Sequence, residues 1–241
     1  MKQVLVTGAS TGIGYDLTKH LCAKGHRVWA GVRRPEVLAS LAKEYPVNLS
    51  VLTLDVTQEE HIDAAFALIQ KELNPSRELI VINNVGVAIG GPIETLPLEE
   101  WKKLFDVNVF GLVNVTRRFL PLLRLTRGRV VNIGSISGRI ASPFLAPYSA
   151  AKFAVRAISD SLRREMMPFG VKIILIEPGP IKTDIWSKSI ATSEAQEEQL
   201  SPEMKSVYGE SLEMLKAAVK KTAEDAVPVG DVTSQDRKST R

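Results

Sequence analysis

Short apolar runs rich in β-branched residues alternate with longer amphipathic stretches along most of this 241-residue chain. The runs lie at residues 4–7, 27–32, 49–54, 79–83, 128–135 and 171–177. Most of them are continuously apolar, as strands buried on both faces are. Helical spacing of apolar residues fills the gaps, in a stretch ending at Gly25 and at 35–44, 58–72, 99–125 and 147–167. A break near Gly111 could divide the range 99–125. The alternation predicts an α/β fold with a doubly wound parallel sheet and helices on both faces.

The composition predicts one globular domain. The chain is 44% hydrophobic and 24% charged, which is close to the average of globular proteins. We expect this single domain to cover residues 1–225. Residues 226–241 are polar and patternless, and they predict a disordered tail.

Charge and cysteine content exclude several classes of protein. The net charge is only +4 and most basic pairs are scattered along helical patterns, which disfavours a nucleic-acid partner. Cys22 is the only cysteine, so an intrachain disulfide and a cysteine-rich metal site are excluded, and no metal is expected. No apolar run approaches the ~18 residues of a membrane span, and only three residues precede the first strand. A cytoplasmic protein without membrane insertion is therefore expected.

A glycine-rich loop joins the first predicted strand to the first predicted helix. Its glycines are Gly8, Gly12 and Gly14, in the sequence VTGASTGIG. Such a loop lets the backbone approach a phosphate closely, and the following helix N-terminus offers free N–H groups. The alternative is a tight turn that binds nothing.

A second motif combines a serine with a tyrosine–lysine pair. Ser135 ends the fifth predicted strand, and Tyr148 and Lys152 lie four residues apart on the helix that follows. Residues at this spacing share one helix face, and a nearby ammonium group favours ionisation of a phenol. Tyr148 is therefore a candidate general acid and base, Lys152 its electrostatic support, and Ser135 the donor that holds a substrate oxygen. The alternative is an exposed helix pair beside an ordinary strand end.

Together these motifs resemble the shorter branch of the short-chain dehydrogenase/reductase family over roughly residues 1–185, and its hydroxysteroid and retinol dehydrogenase side in particular. The resemblance implies a Rossmann-type fold, an NAD(P)-dependent oxidoreductase activity and a fourth catalytic residue, Asn108, that positions Lys152 and a water. One departure is Val85, where the family has alanine. The implied cofactor-binding residues are Gly8, Ser10, Thr11, Gly12, Ile13, Gly14, Arg33, Arg34, Asp55, Val56, Asn83, Asn84, Val85, Gly86, Tyr148, Lys152, Pro178, Gly179, Ile181 and Thr183.

The end of the second strand indicates which nicotinamide cofactor is preferred. An acidic residue there binds a ribose 2′-hydroxyl, whereas an arginine accommodates a 2′-phosphate. The stretch from Ala30 to Arg34 contains Arg33 and Arg34 and no Asp or Glu, which predicts NADP(H) over NAD(H). The alternative is that both arginines are only solvated. A departure from many NADP-preferring relatives is Thr11, where those proteins carry a basic residue.

The predicted substrate surroundings are mostly apolar, although each residue could also be ordinary core. The candidates are Ser135, Ile136, Phe144, Leu145, Tyr148, Pro180 and Trp186, within or beside a substrate segment at about 180–222. They suit an apolar ketone, aldehyde or secondary alcohol as the small-molecule substrate. The alternative function is a catalytically silent NADP-binding sensor or partner protein.

The family resemblance also implies a homodimer or homotetramer paired through the helix at 147–167, which carries several alanines. Relatives end with a further edge strand, whereas this chain offers only Val227, Val229 and Val232 among Pro228, Gly230 and polar residues. The last strand is therefore expected to be missing or cut short.

Overall fold

The computed structural model describes residues 1–183, 200–228 and 230. Its strands are β1 Gln3–Thr7, β2 Arg27–Val32, β3 Leu49–Thr53, β4 Leu79–Asn83, β5 Arg129–Ile133 and β6 Lys172–Ile176. Its helices are α1 Gly12–Ala23, α2 Ala39–Glu44, α3 Glu59–Glu72, α4 Leu98–Phe105, α5 Gly111–Thr126, α6 Ala146–Met166 and α7 Pro202–Glu224. Short 3-10 turns lie at Pro35–Leu38, Ile136–Gly138 and Met167–Phe169. The alternation of strands and helices follows the sequence pattern closely.

The six strands form one sheet in the order β3-β2-β1-β4-β5-β6, and every neighbouring pair is parallel. The chain winds outward from β1 to β3, then crosses back to β4 and winds outward in the other direction. This is the Rossmann-type doubly wound sheet that the sequence predicted. Ligands bind such sheets at the carboxyl ends of the strands, where the winding reverses.

The sheet carries helices on both faces because successive strand residues point to opposite sides. In β1, Val4 and Val6 pack in the cluster that contains residues of α1 and α2. Leu5 lies in the other cluster, with Phe66 of α3 and Phe119 of α5. Both layers are therefore anchored on the same short strand.

The sequence predicted a possible break near Gly111, but the helix continues through it. A π-helical segment, Asp106–Phe110, joins α4 directly to α5. Gly111 instead permits close packing, since a Cβ atom there would lie 2.5 Å from Cγ2 of Val56. Gly111 therefore allows α5 to pack closely against Val56, which follows β3. The irregular part of the helix is the π-helical segment before Gly111.

A buried set of polar side chains crosses the sheet. Nδ2 of Asn83 donates to Oγ1 of Thr116 and to Oδ1 of Asn132, at 2.9 Å in both cases. Nδ2 of Asn132 in turn donates to Oγ of Ser159 at 2.9 Å. These bonds connect α5, β4, β5 and α6 in an apolar interior, where hydrogen bonds have strict geometry and unpaired groups are costly. They fix the position of α6 along β5.

The expected C-terminal features are only partly within the described residues. Val227 forms a single parallel bridge with Ile181, and within the described ranges β6 is an edge of the six-stranded sheet. Val229, Val232 and most of the predicted tail at 226–241 lie outside them. Across the described parts of the chain, no helix has both the length and the apolarity to cross a membrane.

Phe119 provides a test of this packing. It is fully buried and meets Phe66 edge to face, with ring centroids 5.6 Å apart. We expect Phe119→Ala to lower the free energy of unfolding by about 3–5 kcal/mol, because a large cavity would form in the core. Urea unfolding measures this change.

The matched control is Leu125→Ala, on the same helix but 62% exposed. It should change the free energy of unfolding by no more than about 0.5 kcal/mol. Equal effects of the two substitutions would contradict the proposed core.

Candidate active site

A cavity of about 1050 Å³ opens at the carboxyl edge of the sheet. Its walls come from the segments that follow all six strands, together with parts of α4, α5, α6 and α7. This is the position at which a doubly wound sheet binds its ligands. The volume is at the upper end of ordinary small-molecule sites.

The glycine-rich loop forms one wall of the cavity. Gly8 and Gly12 line it and have φ values of +67° and +55°, which only glycine adopts without strain. Helix α1 begins after Thr11, whose side chain makes no capping hydrogen bond. The N–H groups of the first turn are thus left available to an anion.

Asn84 holds this loop in place. Its Nδ2 donates to the carbonyl oxygens of Thr7 and Gly8, at 3.1 and 3.0 Å. Its backbone N–H donates to Oγ1 of Thr7 at 3.1 Å. A side chain on Gly14 would collide with the Gly8 carbonyl and the Asn84 amide. Gly14 is therefore a packing residue beneath the loop, outside the cavity lining where it was predicted.

The structure places Arg33 and Arg34 in different surroundings. Arg33 lines the cavity and lies near Asp55, whereas Arg34 precedes the Pro35–Leu38 turn and lies outside the lining. Burial raises the pKa of Asp55, but hydrogen bonds from the backbone and hydroxyl of Thr57 and the charge of Arg33 outweigh it. The net pKa is below the usual value, so Asp55 is ionised at neutral pH. Arg33 is therefore better placed than Arg34 for the predicted contact with a cofactor phosphate, and both contacts stay predictions.

Ser135 and Tyr148 meet at the other end of the cavity. Oγ of Ser135 caps the Ile136–Gly138 turn by accepting from the N–H of Ser137 at 3.1 Å, and it also hydrogen-bonds the Tyr148 side chain. Burial raises the pKa of Tyr148, and the hydrogen bond with Ser135 lowers it by less. The expectation that this pKa is shifted toward neutrality is wrong for the chain alone, because burial dominates.

Lys152 is buried beside this pair. Its Nζ donates to the carbonyl oxygen of Ile133 at 3.0 Å and lies 5.7 Å from the Tyr148 ring centroid. Burial lowers the pKa of Lys152 from 10.5 to about 8. The predicted proximity of the ammonium group and the phenol ring is therefore present, with the lysine close to losing its proton.

The two other asparagines proposed for the site have structural contacts. Asn108 is buried in the π-helical segment, where its amide accepts from the N–H of Val87 and donates to the Val87 carbonyl, both at 2.8 Å. Its link to Lys152 is indirect, since both side chains lie against Gly86. Asn83 belongs to the polar set inside the sheet and lies outside the cavity lining, and its contact with the cofactor stays a prediction.

The substrate end contains most of the apolar residues that were predicted there. Ile136, Leu145 and Pro180 line the cavity. Phe144 lies outside the lining and packs edge to face on Tyr208 of α7, with centroids 6.5 Å apart. Trp186 falls outside the described residues.

The structure also adds lining residues that sequence patterns did not indicate. Thr57 directly follows the predicted Asp55-Val56 pair and could have been found from it. Val87 and Val107 likewise adjoin the predicted Gly86 and Asn108. Ile89, Lys103, Asn114 and Val219 lie further along the chain from any predicted residue.

The cavity fits a dinucleotide cofactor. Glycines with positive φ and an uncapped helix N-terminus lie where a pyrophosphate needs close backbone approach. Arg33 and Asp55 follow β2 and β3 on one side of this loop, whereas Tyr148 and Lys152 lie on α6, which follows β5 on the other side.

Comparisons with known proteins agree with this geometry. The family described as short chain dehydrogenase matches residues 2–194. An NADPH-dependent 3-dehydrocapnine reductase of Ornithobacterium rhinotracheale is 37% identical over 240 residues, covering 98% of this chain and 82% of that protein. Human retinol dehydrogenase 16 is 38% identical over 226 residues, covering 92% of this chain and 70% of that protein.

A solved structure, the closed form of serine dehydrogenase complexed with NADP+, has a TM-score of 0.78 and 29% identity. The match covers 96% of this chain and 86% of that one. The chain therefore belongs to the short-chain dehydrogenase family and is an NAD(P)-dependent oxidoreductase.

Proposed function

We propose that the protein, as one catalytic domain over residues 1–225, is an NADP(H)-dependent oxidoreductase for apolar ketones or aldehydes and the corresponding alcohols. The observation that carries this proposal is the meeting of Ser135, Tyr148 and Lys152 at the end of the cavity opposite Arg33. A glycine loop alone would suit any nucleotide, but this trio is suited to proton transfer.

The residues divide the chemistry as follows. When bound, the cofactor supplies the hydride in carbonyl reduction and accepts it in alcohol oxidation. The Ser135 hydroxyl holds the substrate oxygen beside the phenol. In reduction, Tyr148 gives its proton to that oxygen as hydride adds to the carbonyl carbon, so the C=O bond becomes an alcohol. The reverse reaction returns the proton to Tyr148.

Burial suits Tyr148 to this task. A raised pKa keeps the hydroxyl protonated at neutral pH, which is the state that a proton donor needs. Lys152, beside the ring, stabilises the phenolate that forms when the proton leaves. Its own bond to the Ile133 carbonyl fixes the ammonium group in that position.

The preference for NADP(H) is supported by Arg33. Its guanidinium borders the cavity next to the glycine loop, where it can make paired hydrogen bonds to a 2′-phosphate. The related reductase named above is NADPH-dependent, and the serine dehydrogenase structure contains NADP+.

The apolar substrate class is supported by the lining around the catalytic trio. Ile136, Leu145, Pro180 and Val219 line the same cavity with hydrocarbon. Such a lining favours an apolar body next to the reacting oxygen.

We also propose that the protein is a cytoplasmic homo-oligomer that pairs through α6. Ala150 and Ala157 are exposed on that helix, and Phe153 between them is 43% exposed. An apolar, small-residue face of this kind suits contact with a second copy. A single buried cysteine suits a reducing compartment.

Tyr148→Phe tests the catalytic assignment. Loss of the proton donor should reduce turnover by about 10²- to 10⁴-fold, while NADPH binding changes little. Turnover is followed by NADPH absorbance with a panel of apolar ketones, aldehydes and quinones, and binding by NADPH fluorescence. Tyr45→Phe, which removes a hydroxyl away from the cavity, is the control. Full activity of Tyr148→Phe would overturn the assignment, and a wild-type protein that binds NADPH but reduces no compound would favour the sensor function.

Arg33→Ala tests the cofactor preference. Loss of the phosphate contact should weaken NADPH binding roughly 10- to 100-fold and leave NADH binding nearly unchanged. Arg34→Ala, one residue away but outside the cavity lining, is the matched control and should leave both affinities unchanged. Equal losses for the two cofactors, or equal effects of the two variants, would contradict the proposal.

Lys152→Met tests the burial of the ammonium group. The unfolded chain keeps this proton up to about pH 10.5, whereas the folded chain releases it near pH 8. Unfolding therefore takes up a proton between these values, and the lysine's contribution to the free energy of unfolding rises with pH, by about 3 kcal/mol in total. The free energy of unfolding of the wild type, relative to that of Lys152→Met, should therefore increase from pH 7.5 to pH 10. Urea unfolding without cofactor measures this difference. A difference that is constant with pH would contradict it.

A further inference from the structure

The carboxylate of Glu177 is held by arginines from two other parts of the chain. Oε2 of Glu177 accepts from Nε and Nη2 of Arg139, at 2.8 and 2.6 Å. Nη1 of Arg156 donates to both carboxylate oxygens at 3.0 Å. We name these three residues the Glu177 clamp. They lie outside the cavity lining, so the catalytic scheme has not used them.

The clamp connects the three segments that carry the active site. Arg139 follows the Ile136–Gly138 turn, which Ser135 caps. Arg156 lies on α6, one helical turn beyond Lys152. Glu177 follows β6 and directly precedes Pro178, which lines the cavity.

Backbone hydrogen bonds join the same segments on either side of Ser135. The N–H of Gly134 donates to the carbonyl of Ile176 at 2.7 Å, and the N–H of Ile136 donates to the carbonyl of Pro178 at 2.9 Å. Ser135 thus lies between two residues whose backbone bonds hold them to Ile176 and Pro178, the residues on either side of Glu177. A shift of Glu177 relative to α6 would change the distance from Ser135 to Tyr148.

The clamp is unlike an ordinary surface ion pair. The Glu177 side chain is only 9% exposed, and its two oxygens accept four hydrogen bonds from two guanidinium groups. Charge-assisted bonds of this kind are short, directional and costly to break when one partner is removed. By contrast, the Asp160–Arg163 pair on α6 has both side chains 44% exposed, and ion pairs at such exposed positions contribute little to the free energy of unfolding.

We propose that Glu177 is a positioning residue: its carboxylate holds the Ser135 turn, helix α6 and the Pro178 segment in the one arrangement that aligns substrate oxygen with Tyr148. This inference rests on the proposed catalytic roles of Ser135 and Tyr148. The glycine loop and Arg33, at the far end of the cavity, do not depend on the clamp.

Glu177→Gln tests the inference with little change of shape. The amide keeps one acceptor but turns an NH₂ group toward arginine donors, so half of the clamp is lost. Asp63→Asn is the matched control, since it breaks an exposed ion pair with Arg118 on α3 and α5, which carry no clamp residue. We expect Glu177→Gln to lower kcat by roughly 10- to 100-fold, as small misplacements of reacting groups do. Binding of 2′,5′-ADP, a probe of the adenosine end, should change less than about two-fold, because Arg33 and the glycine loop are unaffected.

A second readout does not use activity. Amide hydrogen exchange of residues 134–139 should become faster in Glu177→Gln, while exchange of β1 stays near wild type. Faster exchange in β1 as well would indicate general destabilisation and overturn the positioning role. A kcat equal to that of Asp63→Asn would also overturn it.

Failure of the proposed function would look different. A wild-type protein without NADPH-linked turnover, or a fully active Tyr148→Phe variant, would remove the catalytic scheme. In that case unchanged exchange at 134–139 in Glu177→Gln would also reject the clamp, whereas faster exchange there would retain its structural part.

Discussion

The hydrogen bonds between Asn84 and the Thr7–Gly8 backbone join the two halves of the sheet at the point where its winding reverses. Strands β1 and β4 both end at this point, and the segments that follow them line the cavity. The Asn84 amide bonds the carbonyl oxygens of Thr7 and Gly8, so the glycine loop keeps its shape. Val85 packs against Gly8, where a side chain would lie only 2.9 Å from Cγ2 of the valine. Loop, strand end and cavity floor thus form one unit.

The opposite end of the cavity carries an energetic cost. The buried ammonium group of Lys152 donates to the Ile133 carbonyl, and burial disfavours its charged form. Such groups persist where surrounding structure leaves no alternative position, and they are concentrated at functional sites. Here α6 is fixed along β5 by the bond between Asn132 and Ser159. Helix α6 therefore cannot shift to expose Lys152 to solvent. Favourable packing elsewhere in the sheet offsets the cost of keeping this charge beside Tyr148.

The sequence predicted the fold well because strands and helices follow from local patterns of apolar residues. It predicted the site less completely, since neighbouring residues can point in opposite directions. Asn83 is the last residue of β4 and faces the interior of the sheet, whereas Asn84 begins the loop and holds its backbone. Arg33 faces the cavity and Arg34 does not. Val219 reaches the cavity only through tertiary packing of α7, and no local pattern could have indicated it.

The π-helical segment at Asp106–Phe110 makes the residue count of the long helix from 98 to 126 a constraint in itself. A π turn accommodates one residue more than an α turn, and one residue corresponds to about 100° of rotation. Because of that extra residue, Asn108 faces the Val87 backbone while Phe119 still faces the sheet. A regular α-helix through the same stretch could satisfy only one of these two orientations. Relatives that lose or gain a residue here must therefore change either the core behind the helix or the loop in front of it.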